Sequence, residues 1–379
     1  MAEPEWSSVL MEAEKHLMTA GKMRLLLWRT SLTAAVTTPG FLDANAGELS
    51  SMALRTLPVY SDADSRRGVA RLLRLALAND TFLKTFAGAL VRKEAGVVGR
   101  HEAAVMLRWT CLVLSRLELP GAKKAVDRLA KVAATCLDGI LGSGARRWRL
   151  LTSHLARLLA AKPGLFDACL AVAKAGGQPG MARALLDFAA GKPDVMEGAR
   201  ADLLAMYCDR VLGVKGPPRP GDSGAYRGLL QTLSHEEFKS TVLPTATRCM
   251  RRNPEGAVPA VAALLADVGL DMSRHAGELM DVVMQFLRHT KEAVRRGAVE
   301  VARALARGAS DVDAVEGMMR ALREVLEGRA EGGKVKNTAE RGALVAAVAA
   351  LCAAPGKGKG VAFLAEETVD FVCRYYEGE

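Results

Sequence analysis

Aromatic residues make up 5% of the 379 residues, although half of the chain is hydrophobic. The apolar excess is carried by Ala, Leu and Val, which suit helix packed on helix better than a twisted sheet. Alternating apolar and polar positions are never sustained, so β structure is not needed to bury these side chains. No uninterrupted apolar run approaches the roughly 18 residues of a membrane span. The segment Met1 to Ser8 carries acidic residues where a secretory signal needs basic ones, so a cytoplasmic protein with no membrane partner is expected. The seven cysteines, Cys111, Cys136, Cys169, Cys208, Cys249, Cys352 and Cys373, include no C-x-x-C pair and sit mostly in apolar helical runs. Buried, reduced thiols are expected of them.

Motifs of chemistry are equally scarce. His16, His101, His154, His235, His275 and His289 lie far apart, with no H-E-x-x-H and no other zinc-ligand spacing. No Gly-x-Ser-x-Gly offers a nucleophile elbow. The run GKGKG at Gly356 to Gly360 lacks the phosphate-loop frame and no strand precedes it, so a flexible basic turn is expected. Asn79-Asp80-Thr81 matches a glycosylation sequon, which has no consequence without a secretory signal. The acid pairs Glu236-Glu237 and Glu366-Glu367 fall at expected helix starts, where the helix dipole accounts for them. An enzyme on a helical-repeat shell would need an acid beside aromatics in a basic groove, and no such cluster is visible. No catalytic residue, metal, cofactor or small-molecule substrate is therefore expected.

What the chain does have is a 3.6-residue apolar period almost throughout. From Ser65 to Ala78, the residues Val69, Leu72, Leu73, Ala76 and Leu77 share one face, and Arg66, Arg67, Arg71 and Arg74 take the others. Short Pro- and Gly-bearing breaks recur about a helix length apart, which gives roughly 18 helices in about nine antiparallel pairs of around 40 residues each. The expected fold is all-α, a HEAT/armadillo-like α-solenoid of antiparallel helix pairs. The stretch from Asp271 to Gly308 shows one such pair. Asp271 is placed as an N-cap, with Leu279, Val282, Val283, Phe286 and Leu287 turned inward. After the turn at Thr290, Val294-Arg295 enters a second helix with Ala298, Val299, Ala302 and Leu305 on one stripe. The Pro- and Gly-rich run Gly213 to Gly224 cannot be helical across Pro217-Pro218, and a hinge or loop there divides repeats 1–212 from repeats 225–379. A second polar excursion, Gly328 to Lys336, lengthens a turn.

The chain carries a formal net charge of +10. That balance favours RNA, a membrane surface or an acidic protein face. Two clusters stand out. Arg146, Arg147 and Arg149 surround Trp148 at a helix start, where they could grip phosphates or let the indole stack on a base. The alternative is a solvated helix face with Trp148 pinned in the core. Arg248, Arg251 and Arg252 lie near a helix C-terminus, where the dipole already favours cations. Arg146, Arg147, Arg149, Arg251 and Arg252 are the candidate ribosome or RNA contacts.

The run Leu233-Ser234-His235-Glu236-Glu237-Phe238-Lys239, then Val242-Leu243-Pro244 and Arg252-Asn253-Pro254-Glu255, resembles the amino-terminal region of the general-control-nonderepressible translational activator family. Asp62 to Arg67, Trp109-Thr110-Cys111 and Lys162 to Leu165 add further likeness, which covers most of Asp62 to Ala350. Repeat packing by itself calls for neither His235 nor the order of that run. The family consists of giant, non-catalytic HEAT-repeat proteins that bind ribosomes and activate the kinase of initiation factor two alpha during amino-acid starvation. The resemblance thus implies a scaffold in translational control and the integrated stress response. Its expected partner is the ribosome, through ribosomal RNA or proteins. The kinase is reached indirectly, because the family's docking segment lies toward the far end of a much longer chain. The apolar last helix, Ala362 to Tyr375, lacks the polar cap of a solenoid end, as a truncated chain or a short paralogue would. A generic HEAT-repeat adaptor for trafficking or transport, binding peptides through the same surfaces, is the alternative.

Overall fold

The structure, a computed structural model, describes residues 33, 36–55, 71–93, 99–118, 121–176, 178–190, 192–214, 225–329, 335, 337–353 and 373. Positions 215–224 of the expected loop at 213–224, the GKGKG run and nearly all of the last expected helix lie outside the described residues. Among the described residues every regular element is helical, so the all-α expectation holds. The chain forms two compact units, Met1–Phe188 and Ala189–Glu379.

The first unit contains α1 (Phe41–Arg55), helical residues 71–76, α2 (Asp80–Lys93), α3 (Arg100–Arg116), α4 (Lys123–Ile140), α5 (Ala145–Ala161), α6 (Gly164–Gly176) and α7 (Pro179–Ala189). Each helix lies against its neighbour in sequence or the next but one: α3 against α4 and α5, α4 against α2 and α6. Short connections between touching helices make the pairs antiparallel, and contacts at a spacing of two stack them into two rows. Phe82, Phe86 and Trp109 pack ring on ring inside, with centroids 5.4 Å and 6.0 Å apart. Over 71–77, Leu72, Leu73, Ala76 and Leu77 are buried while Arg71 and Arg74 are exposed, as the sequence pattern requires.

Polar side chains close the turns of this unit. Asn79 caps α2 by accepting from the Phe82 amide at 2.8 Å, and its own amide donates to Asp43. That structural use accounts for the asparagine in the apparent sequon. Lys162 donates to the Leu117 carbonyl at 2.7 Å, which satisfies the C-terminal end of α3. At Gly180 the chain runs so close to α4 that a Cβ would lie 2.5 Å from the Leu137 carbonyl carbon, while its amide donates to Asp138. No larger residue fits there without moving backbone.

The second unit contains α8 (Pro193–Tyr207), continued by a π turn at Cys208–Leu212, then α9 (Arg227–Gln231). A helical stretch follows as His235–Glu237, a π turn at Phe238–Val242 and α10 (Leu243–Arg252). Pro244 explains that π turn: it has no amide to offer the preceding turn and its ring crowds the carbonyl there, so the helix widens before it. Then come α11 (Pro254–Asp267), a 3₁₀ turn at Met272–His275, α12 (Ala276–Leu287), α13 (Glu292–Gly308), α14 (Val312–Leu326) and α15 (Thr338–Cys352). Helices α11, α13 and α15 stack in one row and α12 and α14 in the other, the arrangement of HEAT repeats.

The expected pair in this unit is present in detail. Asp271 caps the 3₁₀ turn, the inward residues named above are buried, and Arg295 donates to the carbonyls of His289 and Thr290 at 2.8 and 2.7 Å. Asp271 also reaches the next repeat: it accepts from the Ser310 amide, and Ser273 accepts from the amides of Ser310 and Asp311. Burial works to raise the Asp271 carboxyl, but these donors outweigh it and hold the group far below the ordinary range.

Four cysteines, Cys111, Cys136, Cys169 and Cys208, are buried as expected, while Cys249 and Cys352 are half-buried and Cys373 is exposed. Burial pushes the Cys169 thiol up to about 12 and the Cys208 thiol to about 11, which makes them poor nucleophiles.

Candidate functional site

Helix α5 has an unusual charge placement. It starts at Ala145 after Gly144, with no side-chain cap and no acid in its first turn, and three of its first five residues are arginines. Cations at a helix N-terminus face the positive end of the macrodipole, so the fold gains nothing from their position. Arg146, Arg147 and Arg149 are all exposed and make no ion pair among the described residues. The opposite face of α5 fixes their direction. Trp148 is 1% exposed, its Nε1 donates to Asp187 Oδ2 at 2.7 Å, and the Arg183 guanidinium sits 4.9 Å from the ring centroid. Leu155, Leu158 and Leu159 are buried with it. Trp148 is therefore a core anchor, and the option that its indole stacks on a base is excluded by its burial.

Four residues at positions i, i+4, i+8 and i+11, Arg146, Leu150, His154 and Arg157, share the outward face of α5. Leu150 is 71% exposed. The run Arg146 to Arg149 drew attention in the sequence, but His154 and Arg157 did not; their spacing from Arg146 was the available signal.

The second cluster differs. Arg251 and Arg252 are exposed in the last turn of α10, with Arg248 one turn earlier. Cations there face the negative end of the helix dipole, so the fold supplies a structural reason for them. The first cluster lies in one compact unit and the second in the other.

Beside α10, the run Ser234 to Phe238 is a structural joint. Ser234 and Glu237 form a reciprocal capping box, and Arg200 from α8 reaches Glu237 with both a side nitrogen and a terminal one while donating to Thr232. The Arg200 hydrogen bonds, against the opposing effect of burial, bring the Glu237 carboxyl down to about 2. Phe238 is buried, and His235 Nδ1 lies 3.1 Å from His275 Nε2 of the following repeat. His235 thus meets a side chain of the following repeat.

This joint has a pH signature. Burial first, then the neighbouring His235, hold His275 below the ordinary histidine value, with Lys239 and Arg274 acting the same way and Glu278 opposing. A depressed folded value means that the unfolded chain binds the proton more readily, so stability present above the ordinary value near 6.5 is lost as pH falls through it. Melts at pH 7.5 and 5.5 should show the second unit losing stability, and H275Q should flatten that change. An unchanged pH slope in H275Q would contradict this role. Glu237 acts in a lower window: its contribution is full above the ordinary carboxylate value and is lost as pH falls from there to about 2.

Among the described residues no group of His, Cys, Asp or Glu is placed to hold a metal ion, and no helix is long and apolar enough to cross a membrane.

This joint lies in a stretch that is similar to known proteins. Residues 200–335, from the Arg200 contact through the α12–α13 pair, match the family described as the amino-terminal region of the stalled ribosome sensor GCN1. They form a GCN1-like amino-terminal region. The chain is also 28% identical over 390 aligned residues to "Protein ILITYHIA" of Arabidopsis thaliana, covering 99% of this chain and 14% of that protein. It is 30% identical over 294 residues to the Homo sapiens "Stalled ribosome sensor GCN1", covering 72% of this chain and 11% of that one. The chain thus spans a small part of the curated relatives it matches. Among solved structures, "Crystal structure of Kap121p bound to Ste12p" aligns with 93% of the chain at a TM-score of 0.37 and 10% identity, too slight a likeness to carry an argument. The α5 face lies outside the matched GCN1 stretch, and the α10 cluster lies within it.

Proposed function

We propose that this chain is a non-catalytic helical scaffold of translational control that contacts the ribosome through exposed arginines, chiefly those of α5. The observation that carries the reading is the GCN1 match over residues 200–335, whose relatives are named as stalled ribosome sensors. The arginines at the start of α5 support it, because their position works against the helix dipole and they make no ion pair among the described residues. Activation of the starvation-responsive kinase is indirect in this reading: the chain supplies ribosome attachment, in the cytoplasm.

Contacts between arginines and phosphates release counterions, so the association is salt-sensitive. In a sucrose gradient of cell extract, the tagged chain should travel with ribosomes at low salt and return to light fractions at raised salt. Light fractions at every salt concentration would contradict ribosome contact. Salt-insensitive capture by a protein in the light fractions would favour an adaptor for trafficking or transport.

A further inference from the structure

The start of α3 reaches the start of α5. α3 lies against both α4 and α5, and its first residue touches the turn that joins them: a Cβ on Gly142 would stand 3.0 Å from Arg100 Nη2 and 3.7 Å from its Cζ. Gly142 comes two residues before Gly144, the α5 N-cap, so at about 3.8 Å between successive Cα atoms the guanidinium is within reach of the α5 start. Arg100 opens its own helix, after the uncapped Gly99, and so opposes a second dipole. It is exposed and, like Arg146 and Arg147, makes no ion pair among the described residues. The first hydrogen bond of α5 runs from the Trp148 amide to the Gly144 carbonyl at 2.9 Å. The amides of Arg146 and Arg147 therefore have no carbonyl within the helix, and Gly144 has no side chain to cap them. Ser143 stands between the two glycines, 8% exposed, and its Oγ is buried without a hydrogen-bond partner. Buried hydroxyls are ordinarily paired, so this one is a donor that lacks its acceptor.

We propose that Arg100, the Ser143 hydroxyl and the free amides opening α5 form one site for a phosphate of an RNA backbone, with Arg146 and Arg147 at its rim. The proposal rests on the ribosome-contact reading and names the chemical group held and a residue, Arg100, outside the α5 run. A phosphate is tetrahedral and takes donors from several directions, which a guanidinium, a hydroxyl and backbone amides supply together. A planar carboxylate is matched by one guanidinium and would leave the hydroxyl and the amides idle. Neighbouring phosphates of the same strand then meet the exposed Arg146 and Arg147. No aromatic ring is exposed among the described residues, so the site holds backbone without reading bases.

The test is fluorescence anisotropy of a labelled RNA hairpin with the whole chain, at several salt concentrations, with polyglutamate as a second anionic probe. R100E should raise Kd at least about fivefold and reduce the salt slope by about one, for one lost phosphate contact. An acid in the first turn suits the helix dipole, so the fold should survive this change. R116E makes the same change of charge at the other end of α3, about 24 Å away at 1.5 Å per residue and beyond the screening length at physiological salt. It should shift Kd by less than about twofold. S143A should raise Kd about threefold with Tm equal to native or higher, because no hydrogen bond within the protein is lost. An unchanged Kd and slope in folded R100E overturns the site, and so does an equal loss in R116E, which would mean attraction by net charge alone. An unchanged Kd in S143A overturns it as well, since the buried hydroxyl separates this site from an ordinary helix start. Tight binding of polyglutamate without RNA binding would do the same and indicate an acidic protein segment. A chain that sediments with ribosomes yet binds no hairpin overturns this site and leaves the ribosome reading standing. A chain that binds the hairpin through Arg100 yet stays in light fractions does the reverse.

Discussion

Trp148→Ala should destabilise the first unit by about 3–5 kcal/mol, the range for emptying a large buried aromatic site. The indole is 1% exposed and stands against the buried leucines of α5. Its removal leaves a cavity and also strips Asp187 of the donor at 2.7 Å and Arg183 of the ring beneath it. For a unit of this size the loss corresponds to a fall in Tm on the order of 10 °C. Trp148→Phe should recover part of the packing but not the hydrogen bond, and so fall between alanine and the native chain. A Tm within about 2 °C of native for the alanine variant would mean that α5 is not anchored by Trp148, and the orientation of its arginines would lose its support.

Glu340→Ala should have a comparable effect on the second unit. Glu340 sits in the first turn of α15 with a side chain 5% exposed, and it pairs there with Arg288, from the end of α12, itself 19% exposed. Removing one partner of a buried ion pair strands the other charge and costs about 3–5 kcal/mol. Replacing both with apolar residues, as in Arg288→Met with Glu340→Leu, should be far milder, because neither variant residue brings a charge that must be desolvated. Chemical denaturation of the single and double variants checks this. A double variant as unstable as the single one would show that the pair's geometry, and not the stranded charge, is what matters.

These two sites show where the sequence could be read and where it could not. The pair from Asp271 to Gly308 was legible because its apolar stripes are continuous and its cap and turns are local, and every residue placed inward there is buried. The motif around Ser234 was visible as a pattern, and the serine and the glutamate three residues later already spell a capping box. Its distant partners were not visible: Arg200 lies 37 residues before Glu237, and His275 lies 40 residues after His235. Long-range pairing of this kind follows from how repeats stack, which no local period encodes.

The basic clusters divide in the same way. The arginines at 146–149 could be found as a run, but the reason to prefer them over Arg251 and Arg252 needed the helix ends. The former begin α5 and the latter finish α10, so the dipole opposes one set and favours the other. The division into two compact units falls between Phe188 and Ala189, while the expected loop at 213–224 lies almost wholly outside the described residues.

The most direct test of ribosome contact through the α5 face compares two charge reversals in the same low-salt sucrose gradient. R146E/R147E/R149E should move the chain from ribosomal to light fractions while its melting curve stays near native, because all three side chains are exposed. R251E/R252E should leave most of the chain with the ribosomes. Full retention of the triple variant on ribosomes, or its loss through R251E/R252E alone, would contradict the assignment.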